Sequence, residues 1–236
     1  MLGVVTLVTG APGTGKTLGF VEYLCNDFLC RRGGKVLTNV RLKCDRIADY
    51  VSRRCDTFVN RHFGYSPSPD DVYNRLICFN EDDCRRLRNS NDVSSFFGDI
   101  TNTLICIDEV HLYLQSGLSG LVLRNWGDFL AVLRHHHSKF VGLTQDISQV
   151  DRVLKSRVEA RIEYLSVDSQ RDPYFRIPLG DWSSLISALS GHTVRAVCSA
   201  TYVRGMSGHW RVSNVTPKFL DERIFDLYDS YQIAGL

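Results

Sequence analysis

No stretch of about 18 or more consecutive apolar residues occurs in the 236-residue chain, so no transmembrane helix is expected. The apolar start, MLGVVTLVTG, lacks the basic leader and small-residue cleavage site of a secretory signal, and reads as a buried first strand. The eight cysteines include no C-x-x-C pair, and the chain is too long to need disulfide staples. Reduced thiols in a cytosol are expected, several of them buried as small hydrophobes. Excess charge is scarce too: 28 Lys and Arg against 26 Asp and Glu leave a net +2. Nothing global demands a nucleic-acid partner, so DNA contact would come from local basic patches or from many subunits together. Internal repeats and low-complexity tracts are missing, which excludes a solenoid or a disordered linker protein.

What is present is an ordinary globular composition, 44% hydrophobic and 23% charged, long enough to bury a sizeable core. VVTLVT (4–9) is a β-branched run suited to a strand buried on both faces. Residues 17–30 carry apolar positions at helical spacing, and a strand restarts at 35–40. This strand–loop–helix–strand unit opens an α/β fold with a mainly parallel sheet flanked by helices. The polar stretch 45–100 reads as an insertion, with helical pieces near 44–60 and 80–88, a loop at SPSPDD (66–71) and a short strand near 75–79. Strands follow at 103–107 and 139–144, a helix at 124–137, a short helix at 147–158 and a strand at 160–167. The core of the domain is placed at 1–167. YFRIPL, TVRAVCSATYV and HWRVSNV read as strands of a β-rich C-terminal extension of the same domain, 168–236.

Three segments carry chemistry. GAPGTGKT fits G-x-x-x-x-G-K-[ST] in full, between a β-branched strand and an amphipathic helix. Gly10, Ala11, Pro12, Gly13, Thr14, Gly15, Lys16, Thr17 and the following Leu18 form the candidate nucleotide-binding segment. Its glycines let backbone N–H groups turn toward phosphates, Lys16 reaches the β- and γ-phosphates of ATP, and the Thr17 hydroxyl can ligate Mg²⁺. LICIDE (104–109) delivers two acids to the carboxyl end of a strand, where parallel sheets bind ligands. Asp108 is the candidate Mg²⁺ holder and Glu109 the candidate base that polarises water. FVGLTQ (140–145) is a buried strand ending in an amide, which makes Gln145 a candidate γ-phosphate sensor. Arg124, Arg134, Arg152, Arg157 and Arg161 lie near that strand, and any one can serve as a finger in a neighbouring subunit's site; the sequence does not single one out. RHHHS (134–138) has no carboxylate or cysteine at a ligand-like offset and reads as a polar helix end. Arg195, Arg204, His209, Trp210 and Arg211 read as an ordinary β surface, with contact to DNA as the alternative.

Taken in order, GAPGTGKT, KVLTNV, LICIDEVHLYL, the TQ–QVD segment and the closing IFDLYDSY resemble the zonular-occludens-toxin-like (Zot) family of filamentous-phage assembly ATPases. That family is related to the FtsK–HerA class of DNA motors and to viral genome-packaging ATPases. The resemblance covers most of the chain. It implies a RecA-like ATPase core acting as a ring, a hexamer, that moves phage DNA in packaging or virion extrusion. It implies ATP and Mg²⁺ as ligands and Gly13, Gly15, Lys16, Thr17, Asp108, Glu109 and Gln145 as site residues. Partners would be the phage genome and phage assembly or membrane proteins, and the place of action the host cytoplasm, the inner face of its membrane or the virion. Filamentous-phage members usually continue into a transmembrane helix and a periplasmic part, whereas this sequence stops shortly after Tyr231; the expectation is either a truncated or soluble form or a place with the soluble packaging ATPases. Nothing in these residues supports the toxin activity that named the family. Two other readings stand beside the motor: a nucleotide-dependent assembly scaffold that translocates nothing, and a small-molecule kinase, which the acidic pair suits less well than water activation.

Overall fold

The computed structural model of the chain describes residues 3–57, 60, 64–88, 90, 92–115, 117–166, 170, 178–204 and 209–229. Strand β1, Val5–Thr9, is buried at all five positions, as its unbroken β-branched run requires of a central parallel strand. The glycine-rich turn leads into helix α1, Lys16–Tyr23. The expected helix to residue 30 continues as one π-type turn, Leu24–Phe28, closed by the Leu29 N–H on the Leu24 carbonyl at 2.9 Å. Then come β2, Lys35–Thr38, and α2, Cys44–Cys55, shorter than the helix expected over 44–60; residues 58–59 and 61–63 lie outside the described ones.

The stretch SPSPDD, expected as a loop, instead starts helix α3, Pro69–Asn74. Ser68 accepts a hydrogen bond from the Asp71 N–H, Pro69 takes the first helical position, and Asp70 and Asp71 sit in the first turn. Those are helix-start signals, and they outweigh the turn propensity of Ser, Pro and Asp. Strand β3 (Leu76–Cys78), α4 (Glu81–Arg88), α5 (Val93–Phe97) and the fully buried β4 (Thr103–Ile107) follow. Helix α6 spans Gly120–Val132 rather than 124–137: Ser119 caps its start, and RHHHS forms turns beyond its end, with His137 at φ 55°. Strand β5 is Lys139–Thr144, helix α7 Arg152–Arg157 and strand β6 Ala160–Leu165.

The C-terminal part differs from the expected run of three strands. Tyr174–Ile177 of YFRIPL lie outside the described residues, and Leu179 opens helix α8, Leu179–Ser190, directly after Pro178. Long antiparallel strands β7 (Val194–Arg204) and β8 (Trp210–Asp221) and the short helix α9 (Glu222–Phe225) complete the chain. Pro217 lies in β8, the strand at the sheet's edge, which is where strands accommodate proline.

One sheet holds all eight strands in the order β3-β2-β4-β5-β1-β6-β7-β8, parallel from β3 through β6. Strand β5 therefore lies between β1 and β4, and the chain leaves the parallel strands β1, β2, β4 and β5 at one common edge. Two large apolar clusters cover the sheet, and a small third one seats Leu179 on β6 and β7. One large cluster packs α1 and α2 onto the sheet through Leu18, Phe20, Val21, Ile47 and Val51. The other packs α6 onto it through Trp126, Phe129 and Leu130, against Phe140 and Ile105.

Candidate nucleotide site at the carboxyl edge of the sheet

The turn after β1 is held by its own atoms. Thr14 Oγ1 donates to the Ala11 carbonyl at 2.8 Å, and Lys16 Nζ donates to the Gly10 and Ala11 carbonyls at 2.7 and 3.1 Å. Gly15 sits at φ +97°, and a Cβ there would stand 2.7 Å from Val197 Cγ1, so position 15 admits only glycine on two counts. Burial lowers the Lys16 pKa, an effect that Glu109 and Asp108 partly offset.

Strand β4 brings the acids to the same place. Thr17 Oγ1 lies 3.4 Å from Asp108 Oδ2 in hydrogen-bonding geometry. Burial, and then the neighbouring Glu109 charge, push the Asp108 carboxyl up to about 6. Glu109 adopts a left-handed backbone, φ 49° and ψ 49°, at the start of the turn Val110–Leu112. A non-glycine residue there costs on the order of 1 kcal/mol, and the bend turns its buried carboxylate back over the strand ends. Gln145 Nε2, just past β5, donates to Glu109 Oε1 at 2.9 Å. The other oxygen, Oε2, is buried without a hydrogen bond and stands 3.2 Å from His111 Nδ1, an ionic contact when that ring is protonated.

A cavity of about 240 Å³ opens over these groups, lined by Pro12, Gly13, Gly15, Lys16, Thr17, Leu18, Val40, Asp108, Glu109, Gln145, Arg195, Tyr228 and Asp229. The structure thus brings Lys16, Thr17, Asp108, Glu109 and Gln145 together. Gly10, Ala11 and Thr14 shape the loop from behind without lining the cavity. A hydroxyl beside a carboxylate is a hard-oxygen donor set, and it fits Mg²⁺ held by Thr17 and Asp108. None of Arg124, Arg134, Arg152, Arg157 and Arg161 lines the cavity. Arg134 pairs with Glu159 at 2.6 Å, Arg161 with Glu163 at 3.2 Å and Arg124 with Asp128 at 3.9 Å.

Several site residues escape a motif reading. Asn39 Oδ1 accepts the Asp108 N–H at 2.6 Å, while its Nδ2 donates to the Asp108 carbonyl at 2.9 Å and to Tyr113 Oη at 3.3 Å. This follows from the sheet: Thr38 pairs with Cys106, so the residues just past β2 and β4 are neighbours. The TN of KVLTNV was visible, but no spacing rule links it to an acid 69 positions away. Arg195 also arrives by topology, from a strand that carries no motif, while Tyr228 and Asp229 come from the closing IFDLYDSY, whose sequence gives no role in the site.

The sequence matches the family described as Zonular occludens toxin (Zot) over residues 4–232. A search of curated proteins returns no match. Among solved structures, the N-terminal domain of zonular occludens toxin from Neisseria meningitidis is similar at 16% identity and a TM-score of 0.51, covering 97% of this chain and 100% of that one. The genome packaging NTPase B204 from Sulfolobus turreted icosahedral virus 2, in complex with ATP-gammaS, is similar at 12% identity and a TM-score of 0.46, covering 89% and 96%. The fold is an α/β fold with a glycine-rich phosphate-loop turn after β1 and a mostly parallel sheet flanked by helices, similar to that of the zonular occludens toxin N-terminal domain. No helix among the described residues is long and apolar enough to cross a membrane.

Proposed function

We propose that this chain, which belongs to the zonular occludens toxin (Zot) family, is a Mg²⁺-dependent ATPase that moves phage DNA during packaging or virion extrusion. The observation that carries the hydrolytic reading is the 2.9 Å hydrogen bond from Gln145 to Glu109, beside Lys16 and the Thr17–Asp108 pair. Lys16 binds the β- and γ-phosphates. Mg²⁺, when held by Thr17 and Asp108, neutralises charge on the phosphate oxygens. Glu109 takes a proton from the water whose oxygen bonds to the γ-phosphorus as the bond to the ADP oxygen breaks. Gln145 holds Glu109 Oε1 at 2.9 Å, which fixes the carboxylate in the cavity wall. The protein works as a ring, six subunits in the simplest case, in the host cytoplasm or at the inner face of its membrane.

The test is strand displacement on a DNA track with ATP, together with the mass of the assembly in a non-hydrolysable ATP analogue. A closed ring that displaces a strand only when ATP is hydrolysed supports the motor. ATP-dependent partner binding with no displacement would instead identify an assembly scaffold.

A further inference from the structure

The cavity contains two cations, Lys16 and Arg195, and only Lys16 belongs to a sequence motif. Arg195 reaches the site because β7 runs antiparallel to β6. Leu165, the last residue of β6, pairs with Cys198, so the first residues of β7 extend past the carboxyl end of β6, onto the edge where the glycine-rich turn lies. Side chains two apart on a strand share a face. Val197 packs against Gly15, which places Arg195, two residues earlier, on the face that meets the loop.

The surroundings of Arg195 hold it without neutralising it. Its guanidinium carbon lies 5.9 Å from the centroid of the Phe225 ring, and it is exposed, with no ion pair among the described residues. The cavity's carboxylates have other partners: Asp229 pairs with Lys43 at 3.3 Å, Glu109 faces Gln145 and His111, and Asp108 faces Thr17. Tyr228 and Asp229 line the cavity on a segment tied to residues 41–43. Lys43 N–H donates to the Leu227 carbonyl at 2.9 Å, Asp229 N–H donates to the Arg41 carbonyl at 3.2 Å, and Leu42 and Tyr228 form an isolated antiparallel bridge. A guanidinium fork that rests on an aromatic ring and faces a phosphate loop is complementary to a phosphate oxyanion.

We propose that Arg195 is a phosphate-binding residue supplied within the same subunit, a second cation for the nucleotide's phosphate chain, steadied by Phe225. This rests on the reading of the cavity as a nucleotide site. The same guanidinium could bind a DNA backbone phosphate, and the experiment separates the two. Full-length wild type, Arg195→Ala, Arg195→Lys and Lys16→Ala are titrated with a fluorescent ATP analogue in Mg²⁺, and separately with a labelled single-stranded oligonucleotide. Arg195→Ala is expected to weaken analogue binding about tenfold or more, Arg195→Lys to recover part of the loss, and oligonucleotide affinity to stay at the wild-type value. An unchanged thermal midpoint confirms the fold, as exposure of the side chain predicts. Wild-type analogue affinity in Arg195→Ala, with binding lost in Lys16→Ala, overturns this assignment while the nucleotide site stands. Loss of oligonucleotide affinity alone overturns it in favour of DNA. Wild-type analogue affinity in Lys16→Ala refutes the nucleotide site itself, and the assignment of Arg195 with it.

Discussion

Replacing Asn39 by alanine removes the clasp that fixes the acidic turn. Three hydrogen bonds go, at 2.6, 2.9 and 3.3 Å, and the half-buried N–H and carbonyl of Asp108 lose their side-chain partner. At about 0.5–1.5 kcal/mol each for the two bonds to Asp108, the loss is about 1–3 kcal/mol. For a chain of this size a loss of about 2 kcal/mol lowers the midpoint by about 4–8 °C, which calorimetry resolves. The catalytic effect should be larger. Asp108 and Glu109 are adjacent, so a loosened Asp108 backbone displaces both the metal-holding and the water-polarising carboxylates. Displacement of a reacting group by about 1 Å costs on the order of a hundredfold. A fall of about 10- to 100-fold in kcat is expected, with analogue affinity changed far less because Lys16 and the loop stay in place. Asn39→Asp is a sharper probe. It keeps an acceptor for the Asp108 N–H but sets a carboxylate against the Asp108 carbonyl, and should hydrolyse ATP no faster than the alanine variant. If Asn39→Ala unfolds at the wild-type temperature and turns over at the wild-type rate, the clasp is not a positioning device.

Other perturbations follow from the same geometry. Burial raises the Asp108 pKa from 3.8 to about 6, so its charge opposes folding once ionised; this contribution is favourable below about pH 4 and lost as pH rises through 6. Asp108→Asn in chelator should therefore have a higher midpoint than wild type at pH 7.5, and the difference should vanish toward pH 4. Gln145→Ala should lower kcat about tenfold or more with little change in KM, measured by steady-state hydrolysis, because it frees Glu109 Oε1 without touching the loop. Gly19→Ala should cost about 1–3 kcal/mol, read by chemical denaturation, because a Cβ there collides with the Tyr164 ring packed over α1.

The parallel core and the reactive residues were legible because each signal is local. A β-branched run, a glycine-rich turn at fixed spacing and a strand ending in Asp-Glu all act within a few residues. SPSPDD misled because Ser, Pro and Asp favour both loops and helix starts; the Ser68 cap and Pro69 at the first helical position, backed by the buried Val72, decide for the helix. Helix α8 does carry a local signal, since Leu179, Trp182, Leu185, Ile186 and Leu189 recur at helical spacing after Pro178, but it lies between YFRIPL and TVRAVCSATYV, whose β-branched and aromatic content reads as strand. Asn39 and Arg195 were illegible as site residues because sheet order brings them there, and Tyr228 because a bridge to Leu42, far away in sequence, does. The antiparallel return of β7 is what carries Arg195, 179 positions beyond Lys16, to the same cavity.

Glu109→Gln tests the central claim most directly, with ATP hydrolysis and ATP-analogue binding measured side by side in Mg²⁺. The variant keeps the size of the side chain and can still hydrogen-bond Gln145, so binding should stay within about threefold of wild type. Hydrolysis should fall by about 10²–10⁴-fold, the usual contribution of a positioned general base. Hydrolysis at the wild-type rate in Glu109→Gln would contradict the account, because the carboxylate that the left-handed turn and Gln145 present to the cavity would then take no part in the chemistry.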